Sequence, residues 1–178
     1  MKALFLSAAI ALASMSCFAQ ASDHSTVHVG LVLSNIIQIN PPVDGMGAIF
    51  NSASDYTNGE DLVDIWGNPT SDFSVYSNRN FNVTIKAASA TFSYFNPLSP
   101  TNPNMPCSIL KYRCSANSTG GTNNAPSFTA LSTSNAPLIS GGTAGANKQF
   151  SVRFKADPGW SYGGGLYGLD VVLTATQL

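Results

Sequence analysis

The chain holds 178 residues, only 10% of them charged, with 8 basic against 9 acidic side chains and a formal net charge of −1. No basic stripe exists to neutralise phosphates, which excludes electrostatic binding of nucleic acid. Hydrophobic residues make up 44% and aromatics 10%, enough to build the core of one ordinary domain and too much for a disordered chain.

Residues 1–21 have the pattern of an export signal. Lys2 supplies a positive start, Ala3 to Met15 is a run of small and apolar residues, and Ala19-Gln20-Ala21 offers a small-x-small cleavage site. The apolar run is shorter than the about 20 residues a membrane span requires. The segment is therefore expected to be removed near Ser22, leaving a mature chain with no transmembrane helix. Cys17 does not follow a lipobox, because Ser14-Met15-Ser16 lacks Leu, Val or Ile three residues before it.

After the signal the period is two. Val27, Val29, Leu31 and Leu33 alternate with His28, Gly30 and Val32. Phe81, Val83 and Ile85 form a second series, Phe150, Val152 and Phe154 a third, and Tyr167, Leu169, Val171, Leu173 and Ala175 a fourth. An extended chain sends alternate side chains to opposite faces, so each series predicts a strand with one apolar face. Shorter strands are expected at 36–39, 62–66, 73–76, 91–95, 108–112, 127–131 and 138–139. Turn chemistry separates them, as at Asn40-Pro41-Pro42, Asn58-Gly59 and Asp157-Pro158-Gly159. Residues 97–106 and 115–126 are expected as long surface loops. No stretch shows a sustained helical period with caps. Many short strands between turns predict an all-β sandwich or barrel.

Two cysteines remain in the mature chain, Cys107 and Cys114. In an oxidising compartment such a pair is expected to form a disulfide. The spacing is not that of a metal-binding pair, and no His lies nearby.

Candidate chemistry is sparse, and no enzyme is expected. His24 and His28 both fall in the first mature segment, with His28 on the polar side of its strand. Asp55, Glu60, Asp61 and Asp64 cluster loosely, without the spacing of an EF-hand loop, and are expected on a solvated hairpin. Gly163-Gly164-Gly165 lacks the Lys-Ser/Thr tail of a phosphate loop and precedes a strand. Trp66 and Trp160 are expected to pack in the core or in turns, with a sugar-stacking platform as the rival arrangement. No catalytic residue, metal ligand or cofactor site is expected.

The ends of the chain carry more information. A chain that begins and ends in strands exposes edges unless they pair. One solution is strand addition, in which the leading arm of one copy joins the sheet of the next. Ser25 to Leu33 followed by Ile36-Ile37-Gln38-Ile39 resembles the donor extension and first strand of fimbrial subunits assembled by the chaperone–usher route. Gly164-Gly165-Leu166-Tyr167-Gly168 running into Leu169 to Thr176 is similar to their final strand. The chain departs from that pattern at Gln177, where many such pilins carry Tyr. It also departs at Cys107 and Cys114, which lie closer together than the bridge that family places between early strands.

The resemblance implies an incomplete immunoglobulin-like β-sandwich over residues 35–178, completed by a donor strand within residues 22–34. The donated side chains would be Val27, Val29, Leu31 and Leu33. The acceptor groove would be lined in part by Leu169, Val171 and Leu173. The partners implied are further copies of the chain in a head-to-tail homopolymer at the cell surface. A periplasmic chaperone and an outer-membrane assembly protein would assist. The rival expectation is a monomeric secreted glycan-binding adhesin module using Trp160, Tyr162 and Tyr167.

Overall fold

Strand formation follows the two-residue period wherever the apolar series is long. Phe81, Val83, Ile85 and Ala87 are all buried, and the residues between them are half-buried. Phe73 and Val75 are buried on the preceding strand in the same alternation. The structure, a computed structural model, describes residues 26–42, 45–95, 102 and 104–178. The expected export signal, His24 and part of the 97–106 loop lie outside the described residues.

The chain divides into a leading unit, Met1–Leu33, and a main unit, Ser34–Leu178. In the leading unit, residues 26–33 are in neither helix nor strand, and their side chains are exposed.

The main unit contains, in chain order, β1 (Ile37–Asn40), α1 (Ala53–Asn58), β2 (Glu60–Asp61), β3 (Ser71–Ser77), β4 (Phe81–Ala87), β5 (Ser93–Phe95), β6 (Leu110–Asn117), β7 (Thr122–Asn123), β8 (Thr129–Ala130), β9 (Ala136–Gly142), β10 (Gly145–Ala156), β11 (Leu166–Gly168) and β12 (Val171–Gln177). Among the described residues, one sheet runs β1-β3-β10-β6-β8, with β2 also on β10, and a second runs β12-β4-β9-β7. The pairings are antiparallel. A separate ribbon joins β11 to β5.

The two sheets close on one core. Phe73, Val75, Tyr112, Phe150 and Val152 face it from the first sheet, and Phe81, Val83, Ile85, Leu138 and Ile139 from the second. Phe73 and Phe150 sit directly opposite each other, with rings stacked at 5.2 Å. The all-β sandwich expected from the period is the observed fold. No helix among the described residues is long and apolar enough to cross a membrane.

One corner organises the molecule. β3 and β4 are consecutive but lie in different sheets, so residues 78–80 carry the chain across the sandwich. Ser77 fixes the turn, its hydroxyl donating to the Arg79 carbonyl at 2.6 Å. The neighbours of these two strands, β1 and β12, are thereby placed on the same side of the sandwich.

Several local expectations are corrected. A short helix, α1, occupies 53–58, where none was expected. Its cap is local: Ser52 accepts from the Asp55 main chain while the Asp55 carboxylate accepts from the Ser52 main chain, a reciprocal capping box. The expected strand at 62–66 is instead a bridge at Val63, to Gly47, followed by a turn. The Asp64 carboxylate builds that turn, accepting from the main-chain N–H groups of Trp66 and Asn68 at 2.8 Å each.

Residues 115–126 lie mostly at the surface as expected, but they are partly strand rather than loop. β6 extends to Asn117, Thr119 is fully buried, and Ala125 is buried. Side chains do there what a ladder would do elsewhere: Asn117 accepts from the Thr119 hydroxyl and donates to the Gly121 carbonyl. Met105, within the expected 97–106 loop, is also buried.

The expected disulfide is not seen: Cys107 and Cys114 are both free thiols in this structure. Cys107 lies in a 3₁₀ turn, while Leu110 to Cys114 is extended strand. Each finds a carbonyl instead, Cys107 that of Leu131 and Cys114 that of Ala116.

Candidate functional site

The first and last strands of the main unit form the two walls of an apolar seam. Among the described residues, β1 pairs only with β3, and β12 only with β4. Each therefore has one side without a strand neighbour. Register decides which side chains face inward. Val171, Leu173 and Ala175 stand opposite Ala87, Ile85 and Val83, all core residues, so they share the core face of the sheet. On the other wall, Ile39 stands opposite the fully buried Val75, and Ile37 lies two residues before it on the same face.

These inward residues are only half-buried. Ile37, Ile39, Leu169, Val171, Leu173 and Ala175 pack against the core without being covered by it. The contrast with β4 is direct, because Ile85 is buried and its cross-strand partner Leu173 is not. β4 has a strand on each side, whereas β12 has one only on its β4 side.

Gln177 ties one end of the seam. Its side-chain amide donates to the Ile36 carbonyl at 2.7 Å, and it also reaches Asn78 Oδ1 at 3.0 Å and Ser77 Oγ at 3.1 Å. Asn78 completes the tie, donating to the Ser34 carbonyl at 2.8 Å and accepting from the Ile36 N–H at 3.0 Å.

The other end gives onto a cleft of about 740 Å³, lined by Met46, Leu62, Phe92, Met105, Leu110 and Leu169 among others. Met46 is held there by the Ser71 hydroxyl, which donates to its sulfur at 2.8 Å. The Tyr94 and Tyr167 rings pack at 5.0 Å beside it, and burial raises the pKa of both phenols. Tyr167 donates its hydroxyl to the Gly163 carbonyl at 2.8 Å.

The sequence-named residues fall as follows. Leu169, Val171 and Leu173 lie together on the inward wall of the seam. Val27, Val29, Leu31 and Leu33 belong to the leading unit, where each is between 74% and 86% exposed. His28 is exposed beside them. Ile37, Ile39, Ala175 and Gln177 also belong to the seam. Alternation marked Ala175 and the short Ile36–Ile39 strand, but nothing local marks Gln177.

The acidic residues do not form a hairpin. Asp55 caps α1, Asp64 builds a turn, and Asp61 pairs with Arg153 across β2 and β10. Among the described residues no three His, Cys, Asp or Glu side chains gather as metal ligands. Trp66 and Trp160 both lie in turns, one of the two expected placements, and both are exposed rather than packed in the core.

This geometry defines a class: an antiparallel β-sandwich with two edge strands flanking an apolar seam that is closed at one end and wide at the other. No known family model matches the chain, and no curated protein is similar to it.

Proposed function

We propose that this protein is a structural subunit of a bacterial surface fibre that polymerises by β-strand donation between copies. The main unit acts as an incomplete immunoglobulin-like sandwich, and the leading segment of another copy completes it. The observation that carries this reading is the half-buried row Val171, Leu173 and Ala175 on an edge strand, matched by an exposed alternating row Val27, Val29, Leu31 and Leu33 in the same chain.

Two physical terms favour the exchange. An added strand satisfies main-chain groups along the open edges, each hydrogen bond contributing about 0.5–1.5 kcal/mol net. Each large apolar side chain that passes from exposed to buried contributes about 1.5–3 kcal/mol more. Four such side chains in one row contribute about 6–12 kcal/mol, comparable with the ladder. Because donor and acceptor are different surfaces, the contact is head-to-tail, and it gives an open-ended fibre where the rotation between copies does not close. Export through the periplasm, with a chaperone to shield the seam and an outer-membrane assembly protein to release subunits, accompanies this reading.

The experiment is a pair of chains, one complete and one lacking residues 22–34, purified and viewed by negative-stain electron microscopy. The complete chain is expected to give filaments or long ladders that persist until strong denaturation. The shortened chain is expected to stay monomeric, or to be recovered only with a peptide of residues 26–34 bound. A complete chain that is a monodisperse monomer, or a shortened one that assembles equally well, overturns the reading.

A further inference from the structure

A stack of aromatic rings beside the seam's wide end has no part in strand donation. Phe50 packs against Tyr56 with ring centroids 5.6 Å apart, and Tyr56 stacks on Trp160 at 4.9 Å with the planes 23° apart. Phe50 and Tyr56 are half-buried and line the cleft. Trp160, the outermost ring, is 69% exposed.

We propose that Tyr56 and Trp160 form a binding platform for a neutral saccharide. Three features of the stack lead there. The first is rigidity: α1 carries Tyr56 and is held by its capping box, and the Asp157–Gly159 turn, with Gly159 at φ +58°, delivers Trp160. One face of the indole is thus covered by Tyr56, and the rest of the ring remains open to a ligand.

The second is the free donor. The indole N–H of Trp160 has no partner among the described residues, and a solvent-facing N–H in the plane of a stacking ring can donate to a hydroxyl at the rim of a sugar. A pyranose offers both complements, an apolar C–H face for the ring and hydroxyls at its edge. The third is charge. The carboxylates flanking these rings in the chain are already engaged, Asp55 in its cap and Asp157 with Lys111 at 2.9 Å. Neither of these two carboxylates is left to attract a cation, which favours a neutral ligand over a quaternary amine.

Trp66 supplies the contrast. It is 77% exposed, but no ring stacks on it among the described residues. Exposure alone would make the two tryptophans equivalent, whereas a platform makes them different.

The test titrates cellohexaose, chitohexaose and mannohexaose into the full chain, read by indole fluorescence and calorimetry. At least one is expected to bind saturably. Trp160→Ala is expected to weaken that binding by about tenfold or more, and Trp160→Phe, which keeps a ring, by less than about fivefold. Trp66→Ala is expected to leave it within about twofold. Tyr56→Ala is expected to weaken it as well, through loss of the supporting ring. Melting curves check that the variants fold, and Trp160→Phe carries the test if Trp160→Ala does not. No saturation by any of the three sugars overturns the proposal. So does equal loss from Trp66→Ala and Trp160→Ala, or binding only of apolar peptides. None of these outcomes depends on whether the chain forms fibres.

Discussion

The side-chain amide of Gln177 donates to the main-chain carbonyl of Ile36 across 2.7 Å, joining positions 141 residues apart. This bond holds the ends of β1 and β12 together where the chain crosses between sheets. Gln177→Ala is expected to lower stability by about 1 kcal/mol, because water replaces part of what is lost. The effect should be local. Amide exchange at Ile37 and Ile39 should quicken while that of Val83 and Ile85 stays slow. Uniform quickening would show that the tie supports the whole sandwich.

Leu173 and Ile85 are cross-strand partners with unequal burial. Ile85→Ala is expected to cost about 2–5 kcal/mol wherever it is measured, since it empties a filled core position. Leu173→Ala is expected to cost clearly less in an isolated subunit and more in the assembled fibre, where the seam is covered. Denaturant midpoints of monomer and polymer read this difference. Equal costs in both states would mean that the seam is never filled.

Gly142 stands opposite Phe81, and a Cβ on Gly142 would lie 2.6 Å from the phenyl ring. Phe81 is fully buried and has nowhere to move. Gly142→Ala is expected to destabilise by about 1–3 kcal/mol through overpacking. A thermal melt would check this, and pairing it with Phe81→Leu should recover part of the loss.

Asp55 and Asp64 are exposed carboxylates held below the ordinary value of 3.8. Asp55 is lowered first by the Ser52 hydroxyl and then by main-chain N–H groups, and Asp64 first by the Asn68 side-chain amide. A carboxyl whose pKa is lower folded than unfolded stabilises the fold above its unfolded value. That contribution disappears as pH falls through the lowered folded value. Urea midpoints should therefore hold steady down to about pH 4 and decline below it. Asp55→Asn and Asp64→Asn should each flatten the decline, and carbon-13 titration of the carboxyls reads the two values directly.

Cys107 and Cys114 are buried free thiols, and burial raises the pKa of Cys114. Alkylation of the native chain should be slow, while unfolding without reductant should expose both thiols to rapid labelling. Intact mass before and after labelling measures this. An unfolded chain that gains no label until reductant is added would establish a bridge.

Much of the sandwich is legible along the chain. Phe81-x-Val83-x-Ile85 and Phe150-x-Val152-x-Phe154 fall on buried strand faces because a period of two leaves a side chain only one inward choice. The inward wall Leu169, Val171 and Leu173 is legible for the same reason. The helix at 53–58 was missed, because it is too short to show an apolar period; its one local signal is the cap, Ser52 three residues before Asp55. Thr119 gave no such signal. Its burial depends on Thr143, whose hydroxyl donates to the Thr119 carbonyl from 24 residues away.

Local pattern along the chain determined which residues extend and which face of each strand is apolar, since both depend on side chains two positions apart. Tertiary structure alone decided that the two terminal strands of the main unit face each other, that Gln177 closes one end of their seam and that Trp160 rests on Tyr56. Those relationships depend on the crossing at Ser77–Phe81 and on contacts between distant residues, and no short window of sequence contains both partners.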